Sequence, residues 1–237
     1  MKIAIMGAMV EEIEPLLEYF KDYETIDYAK NKFYKIAYKN SEIVIAYSKI
    51  GKVFATLTAA TMIEKFECQK LLFSGVAGAI NPSLKIGDLI VGDKLCQHDL
   101  DITAFGHPYG YVPEGAVCID SDKDLKSIAF EVAKEKNIEL KSGIIATGDQ
   151  FIADQKRKEW IKGVFEADAL EMEGAAVAVV CDALDVPFFI LRAISDAADM
   201  DASFDFDEFL KSSAKVSAEF IISMVDKIIE ADVGNSK

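Results

Sequence analysis

Residues 169–182 read Ala-Leu-Glu-Met-Glu-Gly-Ala-Ala-Val-Ala-Val-Val-Cys-Asp. The pattern is a short strand ending near Met172, followed by a buried helix beginning near Gly174. Two carboxylates stand at the junction, and side chains two apart on a strand share a side, so Glu171 and Glu173 face the same way. An unpaired carboxylate at the mouth of an apolar helix costs several kcal/mol, on the order of 3–5. Each therefore needs a cation, a set of donors or a polar ligand. Two readings stay open at this point: a structural ion pair at a sheet edge, or a pocket that grips hydroxyl groups.

The same strand-then-helix grammar recurs outward along the chain. Positions 2–7 form an apolar run ending in glycine, and the apolar residues at 10, 13, 16, 17 and 20 then repeat with helical period. Pro15 predicts a helix that starts late or bends there, because proline lacks the amide donor. Segments 33–38 and 42–47 alternate as paired strands across Asn40-Ser41. Val53, Phe54, Leu57, Ala60, Thr61 and Phe66 define the apolar face of a second helix. A strand over 70–73 feeds the small-residue turn Ser74-Gly75-Val76-Ala77-Gly78-Ala79, which matches neither a dinucleotide fingerprint nor a phosphate-cradling loop. A strand from Asp88 runs toward Leu95, and 99–112 is a long loop of the kind that is functional or interfacial. Ser121, with Asp124 three residues later, reads as the cap of a helix to about Lys136. A strand over 140–146 leads to a turn, 148–152, presenting Phe151, and a helix over 155–165 follows. Segment 187–194 is a nearly continuous apolar strand containing Arg192, which demands a buried partner, Glu171 or Glu173. Asp205 to Glu208 reads as a capping box for a final helix, and the polar tail from Ala231 to Lys237 is expected to fray.

Alternating strands and helices without an internal repeat predict a single α/β domain over 1–237, a three-layer αβα sandwich around a mixed sheet. Ligands of such sheets bind at strand C-terminal ends. Those ends carry Glu12, the 74–78 turn, Phe151, Met172, Glu173, Ser195 and Asp196. A net charge of −14 over 237 residues argues against nucleic acid and anionic membranes as partners. No apolar stretch reaches membrane-spanning length. The four cysteines lack a Cys-x-x-Cys, and the two histidines form no metal-ligand spacing with them. Reduced thiols in a cytoplasmic protein without metal or cofactor are the expectation.

Seven motifs then act jointly: Gly-Ala-Met-x-Glu-Glu at 7–12, Ser-Lys-Ile-Gly-Lys-Val at 48–53, Val-Ala-Gly at 76–78, Thr-Ala-Phe-Gly at 103–106, Gly-Asp-x-Phe-Ile at 148–152, Glu-Met-Glu-Gly-Ala at 171–175 and Arg-Ala-Ile-Ser-Asp at 192–196. In this order, over essentially the whole chain, they resemble the bacterial 5′-methylthioadenosine/S-adenosylhomocysteine nucleosidases. The resemblance implies a nucleoside-phosphorylase-like fold with a partly barrel-like sheet, a homodimer, and metal-free hydrolytic release of adenine. It implies Glu12 as the base that activates water, Asp196 as the acid at adenine N7, and Glu173, with Met172 beside it, as ligand of the ribose hydroxyls. Phe151 and the Ile152 backbone would hold adenine, and Met9, Ile50 and Phe206 would line the sugar and 5′ side. Ala77, Gly78, Arg192 and Ser195 belong to the same expected pocket. Phe105 and His107, on loop 99–112, would reach in from the partner subunit. Val76 departs from the pattern, since many relatives carry serine there, and water positioning then rests more on Glu12 and Arg192. Some relatives of this kind also take 6-amino-6-deoxyfutalosine, a menaquinone precursor.

The chemistry is consistent on its own terms. Breaking a ribosyl C–N bond builds positive charge on the sugar and negative charge on the base, so an acid and a water-activating base must flank it. An aspartic acid at its ordinary pKa of about 3.9 is ionised at neutral pH, so Asp196 must be raised by burial or like charge to donate a proton. A phosphorylase of the same fold would need cations for phosphate, and the chain has only Arg157 and Arg192 as arginines. A non-catalytic adenosine-binding protein would not need Glu12 and Asp196 together.

Overall fold

The structure is a computed structural model, and it describes residues 1–196 and 206–235. Ten strands and six helices follow in the order β1 (Lys2–Gly7), α1 (Val10–Phe20), β2 (Glu24–Tyr28), β3 (Asn31–Tyr38), β4 (Ser41–Tyr47), α2 (Lys52–Glu64), β5 (Lys70–Ala79), β6 (Leu89–Gln97), β7 (Cys118–Asp120), α3 (Lys123–Lys136), β8 (Leu140–Thr147), α4 (Gln155–Phe165), β9 (Ala169–Glu171), α5 (Gly174–Ala183), β10 (Phe188–Asp196) and α6 (Phe206–Asn235). All ten strands join one mixed sheet, ordered β10-β6-β8-β9-β5-β1-β4-β3-β2, with β7 beside β6. Because β10 pairs with β5 as well as β6, the first five strands of that order close into a barrel, and β1 to β4 extend from it as an open wing. The expected layered α/β fold with a partly barrel-like sheet is the one observed.

Alternation along the strands builds the two apolar layers. On β1, Ile3 and Ile5 face a core shared with Ile13 and Leu16 of α1, Leu125 and Val132 of α3, and Phe220 and Met224 of α6. Ala4 and Met6 face the opposite core, with Ala55, Ala59 and Met62 of α2 and Ala175, Val177 and Ala178 of α5. A smaller third cluster packs Ile161 and Phe165 of α4 against Ala146 and Leu170 of the barrel. Small residues on α2 and α5 let these two helices lie close to the sheet, and that closeness brings the start of α2 to the start of α5.

Several expectations are corrected. Helix α1 is regular from Val10 through Pro15 to Phe20, its register held by buried Ile13 and Leu16. The 74–79 segment is not a turn: β5 continues through it, paired with β10 on one edge and β9 on the other. Strands β2 and β7 were not anticipated, and the β3–β4 turn falls at Lys39-Asn40, since Tyr38 and Ser41 are already paired. Helix α3 is capped by Asp122, whose carboxylate accepts from Leu125 N at 2.8 Å, while the Ser121 hydroxyl donates to the Gly92 carbonyl. The apolar face predicted for α2 is partly turned outward: Val53, Phe54 and Leu57 are exposed, and Ala55, Thr58, Ala59 and Met62 are buried instead. The expectation of reduced thiols fails for one pair. The antiparallel register sets Cys96 opposite Cys118 with a Cα–Cα distance of 4.3 Å, within bridging reach, and they form a disulfide, whereas Cys68 and Cys181 are free. Asp205 of the expected capping box lies outside the described residues, as does the Glu208 side chain. Residues 231–234 are exposed at the end of α6. No helix among the described residues is long and apolar enough to cross a membrane.

Candidate active site

The C-terminal ends of β1, β5, β9 and β10 bring three buried carboxylates and one guanidinium together. Glu12 sits in the first turn of α1, 4% exposed, and reaches back to the chain it came from. Its Oε2 accepts from Ala8 N at 2.6 Å and Met9 N at 3.1 Å, and its Oε1 accepts from Val76 N at 3.2 Å. The approach is close enough that a Cβ on Gly75 would lie 2.8 Å from Glu12 Oε1 and 3.3 Å from Arg192 Nη1. Only glycine leaves both groups that space. Burial pushes the Glu12 carboxyl above its usual value, opposed first by the positive charge of Arg192 and then by the backbone donors.

Arg192 is 1% exposed, in the middle of an apolar strand. Of the two partners left open by the sequence, Glu171 takes it, with Nη2 to Oε2 at 2.7 Å. Nη1 donates to the Leu191 carbonyl at 3.1 Å, and the guanidinium carbon stacks 4.1 Å from the centre of the Phe73 ring. Glu171 also accepts from the Thr147 hydroxyl and from the amides of Glu173 at 3.2 Å and Gly174 at 2.6 Å. Glu173 stands at the start of α5, and its Oε1 accepts from Gly51 N at 2.8 Å. Gly51 precedes α2 with φ +100°, a left-handed backbone that glycine adopts without strain and that turns its amide toward Glu173. Three buried acids thus gather around a single guanidinium, which is bonded to Glu171. Burial, followed by the charge of Glu171, pushes Glu173 up to about 7.

Beside this cluster lies a small cavity of about 40 Å³ whose walls include Gly78, Phe151, Ile152, Leu170, Met172 and Lys158. Phe151 is 73% exposed at its mouth, so it closes no core in this chain. Asp196 ends β10, its backbone in register with Gly78 of β5. The side chains of Asp196 and Phe206 lie outside the described residues. Met9 packs half-buried at the start of α1, Ala77 is buried on β5, and Val76 and Ser195 are half-buried. Ile50 is 56% and Phe105 82% exposed, and the exposed His107, on loop 99–112, stacks on Tyr111 at 4.6 Å. That loop is tied to the site at its base. Lys52 Nζ pairs with Asp99 Oδ1 at 2.6 Å, and the Lys52 amide donates to Asp149 Oδ1 at 2.7 Å, joining the 99–112 and 148–152 loops to the turn that holds Glu173.

Three contributors escaped sequence reasoning. Thr147 ends a strand that looks like any other, the Gly51 donor is a backbone group, and Lys158 is buried within a helix that reads as charged and solvated. Thr147 and the Gly51 amide carry no local signal for these contacts, because each meets a segment distant in sequence.

The arrangement gathers carboxylates raised by burial, Glu12 and Glu173, around Arg192. A family model described as the phosphorylase superfamily matches residues 2–230. An aminodeoxyfutalosine nucleosidase of Campylobacter jejuni is 61% identical over 228 residues, covering 96% of this chain and 100% of the relative. A 5′-methylthioadenosine/S-adenosylhomocysteine nucleosidase of Staphylococcus carnosus is 40% identical over 227 residues, covering 95% and 100% respectively. Among solved structures, a Campylobacter jejuni 5′-methylthioadenosine/S-adenosylhomocysteine nucleosidase superposes with a TM-score of 0.94 at 61% identity, covering 96% of this chain and 99% of that one.

Proposed function

The chain belongs to the phosphorylase superfamily, and from that premise we propose that it is a hydrolase cleaving the N-glycosidic bond of 5′-methylthioadenosine, S-adenosylhomocysteine and 6-amino-6-deoxyfutalosine, releasing adenine. Names of both kinds among its relatives, at 61% and 40% identity, support the pairing of thio-substituted adenosines with aminodeoxyfutalosine. The observation that carries hydrolysis over phosphorolysis is the charge of the cleft. Arg192 is already paired with Glu171, and Arg157 is engaged elsewhere, with its Nη2 on the His98 carbonyl at 3.3 Å and its guanidinium over the Trp160 ring. A phosphate dianion would face Glu12, Glu171 and Glu173 with no free guanidinium, and it would be repelled. Water carries no such penalty.

In the proposed reaction Glu12 takes a proton from water, the hydroxide adds to C1′ of the ribosyl cation, and the C1′–N9 electron pair leaves with adenine as Asp196 delivers a proton to N7. Burial raises the Glu12 carboxyl above its usual value, which makes it a stronger base than an exposed glutamate. Glu173 accepts from the ribose hydroxyls, and the cavity bounded by Phe151, Ile152 and Met172 takes the purine, with Ala77, Gly78 and Ser195 around it. Val76 contributes only its amide, to Glu12, so water is oriented by Glu12 with Arg192 alongside. Met9, Ile50 and Phe206 are assigned to the sugar and 5′ side.

A homodimer completes the pocket, with loop 99–112 of one protomer bringing Phe105 and His107 to the other. The exposed Ile50, Val53, Phe54 and Leu57 support an apolar interface beside the site. The proposed setting is the cytoplasm, where the Cys96–Cys118 bond would meet reducing thiols. The deciding experiment is adenine release from each of the three nucleosides in phosphate-free buffer, with the sugar product identified. Free sugar is expected with and without phosphate; a strict phosphate requirement, or sugar 1-phosphate as product, would overturn the reading.

A further inference from the structure

Glu171 is buried, and both of its carboxylate oxygens accept hydrogen bonds inside the protein. Oε1 accepts from the Thr147 hydroxyl, while Oε2 accepts from Arg192 Nη2 at 2.7 Å, Gly174 N at 2.6 Å and Glu173 N at 3.2 Å. Thr147 is itself fully enclosed, and its oxygen accepts from Ala175 N at 2.8 Å. The two residues are register partners on β8 and β9, so the sheet sets them face to face. Glu173, two residues on, accepts from Gly51 N through Oε1 and, among the described residues, keeps acceptor capacity for a further donor.

We infer that Thr147 and Glu171 form a positioning unit for the reaction: through the first turn of α5 they aim Glu173, and through the guanidinium they hold Arg192 beside Glu12, without touching substrate. The inference rests on the assignment of Glu12 and Glu173 under the proposed function. Its physical basis is that three amides of one helix turn, those of residues 173, 174 and 175, all end on this pair. A shift of Glu171 therefore moves the Glu173 backbone directly. The same carboxylate oxygen that accepts from two of those amides binds Arg192, whose other terminal nitrogen flanks Gly75 together with Glu12 Oε1. Base and hydroxyl acceptor are thus referred to one fixed point. A site that must hold reacting groups within fractions of an ångström gains from such a reference.

The competing account is that the pair only caps a helix and satisfies a buried cation. The two accounts differ in a comparison of Thr147→Val, which keeps the shape and removes the hydroxyl, with Thr147→Ser, which restores it. Measured well below the melting temperature on 5′-methylthioadenosine, Thr147→Val is expected to lose about 10-fold in kcat, the size of one hydrogen bond, with KM changed less than about 3-fold. Thr147→Ser is expected to stay within about 2-fold of the parent. Thr147→Val with parental kcat and merely lower Tm would overturn the inference, as would equal loss in both variants. Should Thr147→Val fail to fold, Glu171→Gln is read by the same kcat and KM criterion, and parental kcat in that variant overturns the inference equally. The unsubstituted enzyme is assayed alongside: absence of adenine release from it would bring down the nucleosidase reading itself, a failure distinct from that of the positioning unit.

Discussion

Glu173 is where charge and chemistry pull against each other. Its proton is lost near 4.5 in the unfolded chain but held to about 7 in the fold. Between those values the unfolded state binds fewer protons, so the stability this group contributes is fully present below about 4.5 and is lost as pH rises to about 7. Glu173→Gln removes that loss. Its Tm relative to the parent should therefore climb through this window and level off above it, by a few degrees at the ~2–4 °C per kcal/mol of a chain this size. A pH-independent Tm difference would refute the raised carboxyl. The same variant should lose about 10- to 150-fold in kcat/KM, the worth of a charge-assisted hydrogen bond of roughly 1.5–3 kcal/mol, and far less on 2′,3′-dideoxy analogues. The proposed acid and base should fail in different ways. Asp196→Asn is expected to lose about 10²- to 10⁴-fold on natural substrate and to recover on a nitrophenyl riboside, whose leaving group needs no proton. Glu12→Gln should not recover, because no base then prepares the water. Equal single-turnover rescue of both would mean that the acid is assigned wrongly.

At the scale of elements, the boundaries are decided by which side chain reaches which amide. Asp122 and Ser121 are both plausible caps for α3, but the Ser121 hydroxyl is spent on the Gly92 carbonyl of β6, so Asp122 does the capping. Asp122→Ala should cost about 1 kcal/mol, a Tm drop of about 2–4 °C, and leave kcat unchanged, since α3 packs with α6 on the far side of the sheet from α2 and α5. A loss of activity without a loss of stability would contradict that placement. Helix α2 carries the opposite lesson. Periodicity marks Val53, Phe54 and Leu57 as a core face, yet the sheet takes the small residues instead, because α2 and α5 must share one layer at close range.

For the whole molecule, the outward apolar face of α2 and the exposed Phe105 argue for a second copy. Leu57→Asp should shift sedimentation at assay concentration from dimer to monomer and lower activity with it, since Phe105 and His107 would then leave the partner's pocket; a fully active monomer would end the shared-pocket reading. Much of the architecture is legible in the amino-acid sequence alone. Strand-then-helix grammar at 2–20 and 169–183 is local, because burial and side-chain direction repeat within a few residues, and it carried both the fold class and the carboxylates at strand ends. Arg192 could be recognised as a cation in need of a partner for the same reason. What only the tertiary structure decided are the pairings between distant segments: Arg192 with Glu171 and not Glu173, Gly51 with Glu173, Thr147 with Glu171, Cys96 with Cys118. The two Glu171 contacts depend on register across the closed β5-β9-β8-β6-β10 ring, and the cysteine pair on the β6–β7 register, where a one-residue slip reverses the face of every side chain, while Gly51 meets Glu173 because α2 starts beside α5. Local patterning states that a group must be satisfied, and sheet closure determines by what.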